Sequence, residues 1–88
     1  MIDRELAHAP AAYNKRLVHA LQAMEKGEAN AGQQTDILKW LLTEATRSYD
    51  MSYRPNDPTS TSFAEGRRFV GLQVVKLLKL NAAKLKDE

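Results

Sequence analysis

Few side chains in this sequence are of types that do chemistry, and their spacing narrows the choice further. The densest run of hydroxyls is "NDPTSTSFAEGRR", Asn56 to Arg68. A nucleophilic serine there needs a base within reach, and both histidines, His8 and His19, lie in the other half of the chain. A phosphate loop needs glycines ahead of its helix and a lysine beside a Ser or Thr. This segment has no glycine before Gly66 and no lysine. His8 and His19 are eleven positions apart, a separation that fits one helix face, but two imidazoles without a nearby carboxylate make a poor metal site. The absence of cysteine removes disulfides, thiolate metal sites and a thiol nucleophile. Residue types and spacing therefore point to a protein that is not an enzyme and uses no cofactor or metal.

The same stretch has a structural reading. Ser62 followed three residues later by Glu65 is the pattern of a capping box, in which each side chain accepts from the other residue's backbone N–H; Thr61 competes for the cap. Glu65 then lies at the positive end of a helix dipole, with Lys76, Lys79, Lys84 and Lys86 toward the negative end. The pattern predicts a helix over about 62–84.

Two further helices precede it. In "PAAYNKRLVHALQAMEKG", Tyr13, Leu17, Ala20, Leu21 and Met24 recur with the spacing of one apolar stripe. This predicts a helix over about 10–26, with Pro10 in its first turn and Gly27 as its stop. Residues before Pro10 are expected to form a short helical turn kinked at Pro10 or a loose arm. After a polar link over 27–34, Thr35 or Asp36 caps a second helix over about 35–49, whose apolar face holds Ile37, Leu38, Trp40, Leu41, Leu42, Ala45 and Tyr49. Residues 50–61 contain Pro55 and Pro58, which fix φ and restrict their predecessors. They are expected to form an ordered strap across the bundle, with Met51 and Tyr53 packed back onto the core. The fold class is all-α, a single three-helix domain over residues 1–88. The expected core is Leu17, Leu21, Leu38, Leu41, Phe63, Val70, Val74 and Leu77.

Apolar residues cover more than half of the third helix, too much for one side of a monomeric bundle. Part of that surface is expected to meet a partner, through Gly66, Arg67, Arg68, Phe69, Gly71, Leu72 and Leu80. Gly66 shares a face with Phe63 and Val70 and is expected to admit another backbone or a bulky ring, Trp40 or Tyr53. Gly71 lies on another face and serves a different contact. Arg67 and Arg68 read either as a solvated helix face or as an anchor for carboxylates or phosphates, which suit a planar guanidinium. Tyr13, Trp40, Tyr49 and Tyr53 read as core and rim aromatics.

The formal charge is +2, too small to argue for nucleic acid. Residues 61–88 are the basic part, with six basic and three acidic groups. On a continuous third helix Arg68, Lys79 and Lys86 would align within about 20°, with Lys76 about 80° away. That edge could give weak, sequence-independent contact with DNA; an ordinary charged outer face is the plainer reading. No apolar run approaches the ~20 residues that span a bilayer, and "MIDRELAHAP" has no signal-like apolar core. A soluble chain that acts in the cytoplasm where it is made is expected.

The run "NDPTSTSFAEGRRFVGLQVVKLLKL" resembles a family of small tailed-bacteriophage proteins named after a member from a Bordetella podophage. The likeness covers Asp57 to Leu80 and includes the set Phe63-x-Glu65-Gly66-Arg67-Arg68 before an aliphatic helix. It implies a small helical virion protein, encoded among portal and capsid genes, with no defined active site. Its partners would be portal, internal ejection or capsid components, or its own copies. A phage-encoded regulator of a host enzyme is the alternative class.

Overall fold

The computed structural model describes residues 6–86, and every regular element among them is helical. The chain is an all-α three-helix domain. Helix α1 spans Lys15–Glu25 and α2 spans Ala31–Trp40, which runs on into a π-helical turn at Leu41–Ala45; α3 spans Pro58–Lys79 and is followed by a 3₁₀ turn at Ala82–Lys84.

Local side-chain chemistry sets each boundary, and three starts differ from the expectation. α1 begins at Lys15, because the Asn14 side chain accepts from the Leu17 N–H at 2.9 Å; Pro10 stays outside the helix. α1 ends as expected at Gly27, whose φ of +73° suits a residue without Cβ. The Gly27 and Glu28 N–H groups return to the carbonyls of Met24 and Ala23 at 2.9 and 2.8 Å, which is a Schellman motif. α2 starts before Thr35, because Asn30 and Gln33 form a reciprocal capping box. Thr35 is instead inside α2, with its hydroxyl bonded to the Ala31 carbonyl.

α3 starts four residues before the expected cap. Asp57 accepts from the Ser60 N–H at 3.0 Å and from the Ser60 hydroxyl at 2.7 Å, and Pro58 occupies the first turn. An Asp-Pro pair combines a charged cap at the positive end of the dipole with a φ already set for the helix. Ser62 therefore lies inside α3. Glu65 accepts instead from the Ser52 hydroxyl. α3 also ends earlier than expected: Leu80 is extended and Asn81 caps the short 3₁₀ turn.

The connection between α2 and α3 is an ordered strap, but polar bonds hold it. The Thr61 hydroxyl accepts from the Arg54 N–H at 2.8 Å and donates to the Arg54 carbonyl at 3.2 Å. Arg54 in turn donates to the carbonyls of Met51 and Ser52. Pro55 and Asn56, the latter at φ +59°, make the four-residue turn that Asp57 closes onto Arg54. Met51 and Tyr53, expected in the core, are exposed.

The core is small and lies mainly between α1 and α2. Leu17, Ala20 and Ile37 form its centre, with Leu21 and Trp40 packed against them. The Trp40 indole donates to the Ala12 carbonyl at 2.7 Å and ties the extended segment before α1 to α2. Leu38 is only half-buried, and Leu41 is on the surface. Among the helical elements, the backbone of α3 comes close to the π turn and not to α1 or α2. It docks across the end of the α1–α2 hairpin. The result is flat, 43 × 38 × 17 Å, with a radius of gyration of 15.5 Å against about 12 Å for a compact chain of this length.

Gly71 is where α3 comes closest to its neighbour. A Cβ there would overlap the hydroxyls of Thr46 and Ser48 and lie 2.8 Å from the Thr46 Cβ, whereas a Cβ at Gly66 meets nothing within 4 Å. The close-packing role expected of Gly66 thus belongs to Gly71. Gly71→Ala should lower stability by about 1–3 kcal/mol, while Gly66→Ala should raise it by up to about 1 kcal/mol. Urea denaturation of the two variants separates packing from helix propensity, since the residue change is the same.

The cap at Asp57 adds a pH dependence. The backbone N–H of Ser60, then its hydroxyl, hold the Asp57 carboxyl below its ordinary value. A depressed folded value means that the contribution is full at neutral pH and is lost as pH falls below about 4, through the lowered value. Asp57→Asn keeps an acceptor but cannot titrate, so its melting temperature should change less than the parent's between pH 5 and pH 3.

Candidate functional site

α3 has two faces, and they divide its residues differently from the expectation. The inner face carries Ala64 and Gly71, both buried, with Arg67, Arg68, Val74 and Val75 half-buried beside them. Small residues let the helix approach, and the arginines bond across the joint. Arg67 donates from Nε to the Ala45 carbonyl at 2.6 Å and from Nη2 to the Glu44 carbonyl at 3.3 Å. Its Nη1 donates to the carbonyls of Ala7 and Ala9 at 3.0 and 2.8 Å. Arg68 donates from Nε to the Ser48 carbonyl at 3.1 Å.

These acceptors follow from the helix end. The last carbonyls of a helix lack partners within it and carry its negative pole. At the π turn, Thr46 returns to Leu41 through both its N–H and its hydroxyl. The carbonyls of Glu44 and Ala45 point onward, and Arg67 supplies their donors. Arg47 then stops the element in a left-handed conformation, φ +49°, which costs a non-glycine residue about 1–2 kcal/mol. It is buried, and its guanidinium donates to the Leu6 carbonyl at 3.0 Å. Arg67 and Arg68 are thus half-buried rather than a solvated face, and both donate to backbone carbonyls.

The outer face of α3 is apolar and uncovered. Phe63 is 51% exposed, Phe69 62%, Val70 58%, Leu77 66% and Leu80 43%. Phe63, Val70 and Leu77 were expected in the core and lie outside it, because the joint uses the opposite side of the helix. Of the expected partner residues, Gly66, Phe69 and Leu80 share this outer surface. Leu72 is half-buried, and Arg67, Arg68 and Gly71 belong to the inner joint.

The basic edge does not assemble. Lys76 and Lys79 are exposed in the last turn of α3. Arg68 is directed to Ser48, and Lys86 lies beyond the 3₁₀ turn rather than on the helix. No group of three potential metal-ligating side chains occurs among the described residues. None of the described helices is long and apolar enough to cross a membrane. An open groove of about 400 Å³ lies between the segment before α1 and α2, lined by Arg16, Asp36, Lys39, Trp40 and Glu44 among others. Its charges are mixed, Arg16 pairs with Asp36 at 2.9 Å, and the Thr43 hydroxyl donates to the Lys39 carbonyl at 2.8 Å.

Sequence reasoning missed Arg67 as the joint of the fold. The available signal was its position between Ala64 and Gly71, the small residues on that side of the helix. Comparison with known proteins finds no matching family model, no matching curated protein and no matching solved structure.

Removing the guanidinium leaves several carbonyls without donors, so Arg67→Ala should cost about 3 kcal/mol. Arg67→Lys should cost nearly as much, because one ammonium cannot reach four carbonyls in a plane. Hydrogen exchange should also show faster exchange at Ala9 than in the parent. Full rescue by lysine would mean that charge, not the fork, makes the joint.

Proposed function

We propose that this chain is a small, non-catalytic structural or assembly protein of a tailed bacteriophage. It binds portal, internal ejection or capsid components, or its own copies, through the outer face of α3. The observation that carries this reading is the uncovered apolar stripe. Scattered exposed apolar residues are ordinary, but a continuous patch of them marks a binding surface. The total accessible surface supports it: 7023 Å², against about 5,200 Å² for a compact monomer of this mass. The phage setting rests on the resemblance of Asp57 to Leu80 to the small virion family. In this reading the protein is made in the host cytoplasm and ends in the particle.

A phage-encoded regulator of a host enzyme could use the same face, so location separates the two. Mass spectrometry of purified virions of the encoding phage should detect the protein at a constant copy number per particle. Particles that lack it entirely, from cells that express it, would favour the regulator.

A further inference from the structure

The outer face of α3 has a register as well as an apolar character. Phe63, Gly66, Val70, Gln73, Leu77 and Leu80 follow one another at spacings of three and four in strict alternation. That is the seam of a helix that pairs with another helix. It runs about 25 Å along α3, and no described part of the chain covers it. Two of its members, Gly66 and Gln73, are odd choices for a helix surface. Gly66 lowers helix propensity, yet nothing in its own chain approaches it.

Both are accounted for by a partner of one kind. Resting on the reading of this face as an assembly surface, we infer that its occupant is the α3 of a second copy, packed antiparallel about a two-fold axis between residues 71 and 72. A two-fold places the same surface on both sides, so the seam must complement itself when reversed. It does: Phe63 meets Leu80 of the second copy, Gly66 meets Leu77, and Val70 meets Gln73. The large Leu77 faces the one position without a side chain. The Val70–Gln73 layers flank the axis, where a polar seam residue fixes register at some cost in affinity. On the flank, Phe69 faces Lys76 of the second copy, an aromatic face against a cation. The helix dipoles oppose, each positive end beside a negative one. A parallel pair would instead stack Gly66 on Gly66 and Gln73 on Gln73, leaving a gap in one layer and no apolar partner in the other.

The exposed parts of Phe63, Phe69, Val70, Leu77 and Leu80 amount to roughly 500 Å² per copy, so their complete burial in two copies would remove about 1,000 Å², the lower edge of the range for specific interfaces.

The test uses the full chain. Sedimentation equilibrium should give a dimer. Val70→Glu, which sets a carboxylate beside the axis in each copy, should weaken it at least 100-fold with unchanged helical circular dichroism. The sequence has no cysteine, so introduced thiols report orientation. Gly66→Cys mixed with Leu77→Cys should oxidise to a mixed disulfide, and Gly66→Cys alone should not cross-link. Cross-linking of Gly66→Cys alone would overturn the antiparallel arrangement, and a strictly monomeric parent would overturn self-pairing. Incorporation into particles then tells the two levels apart. A monomer whose incorporation is lost on Val70→Glu leaves the assembly reading standing; incorporation untouched by Val70→Glu removes that reading as well.

Discussion

The structure depends on one guanidinium. Arg67 closes the carbonyl end of the α2–π element and, through Nη1, holds the chain around Ala7 and Ala9 against it. Three segments far apart in sequence meet at a single planar group. A fork of five N–H donors suits this task because its directions are fixed and its charge does not titrate. Apolar packing could not do the same work here, since the groups it meets are backbone carbonyls, which need donors.

The choice of a polar joint turns α3 inside out relative to a usual bundle helix. Because the joint needs close approach, its face is built from Ala64 and Gly71. Because that face is filled by small residues, two arginines and two valines, the aromatic and most of the larger aliphatic residues of α3 accumulate on the other side. The thin shape and the large surface follow from the same decision. With α3 touching only the end of the hairpin, little of its circumference is available for burial within the chain.

The elements whose boundaries rest on local chemistry were partly legible in the sequence. Gly27 reads as a stop because only a positive φ satisfies the carbonyls of Met24 and Ala23. The Asn30–Gln33 box was equally local, but it is embedded in the polar run "GEANAGQQ", whose glycines look like linker. At α3 three caps competed within six residues, and the Asp-Pro pair won over Thr61 and Ser62 by adding charge and a preset φ. The choice of α3's buried face was not legible. Periodicity tells which residues share a side, and on a helix apolar nearly all round it cannot tell which side faces in. That was decided by the carbonyls of Glu44 and Ala45, left pointing outward by a π turn that "LLTEA" does not announce. The stripe of the candidate site was therefore visible as an excess of apolar residues, while its membership required the position of Arg67.

The docking of α3 on a single turn also has a mechanical side. Contacts with the hairpin end lie around Ala64 to Val75, with Gly71 at their tightest point, so the final turn of α3, residues 76–79, projects beyond the joint. The hydroxyls of Thr46 and Ser48, 2.8 Å apart, are the bearing on which the helix rests. From Lys76 to Leu80 that turn is about 6 Å long, so a tilt of about 10° at its base moves its tip by about 1 Å. None of the α1–α2 core has to repack for that movement. The Leu77–Leu80 end of the outer stripe can thus follow the curvature of whatever it lies against, while the rest of the stripe is held by the joint.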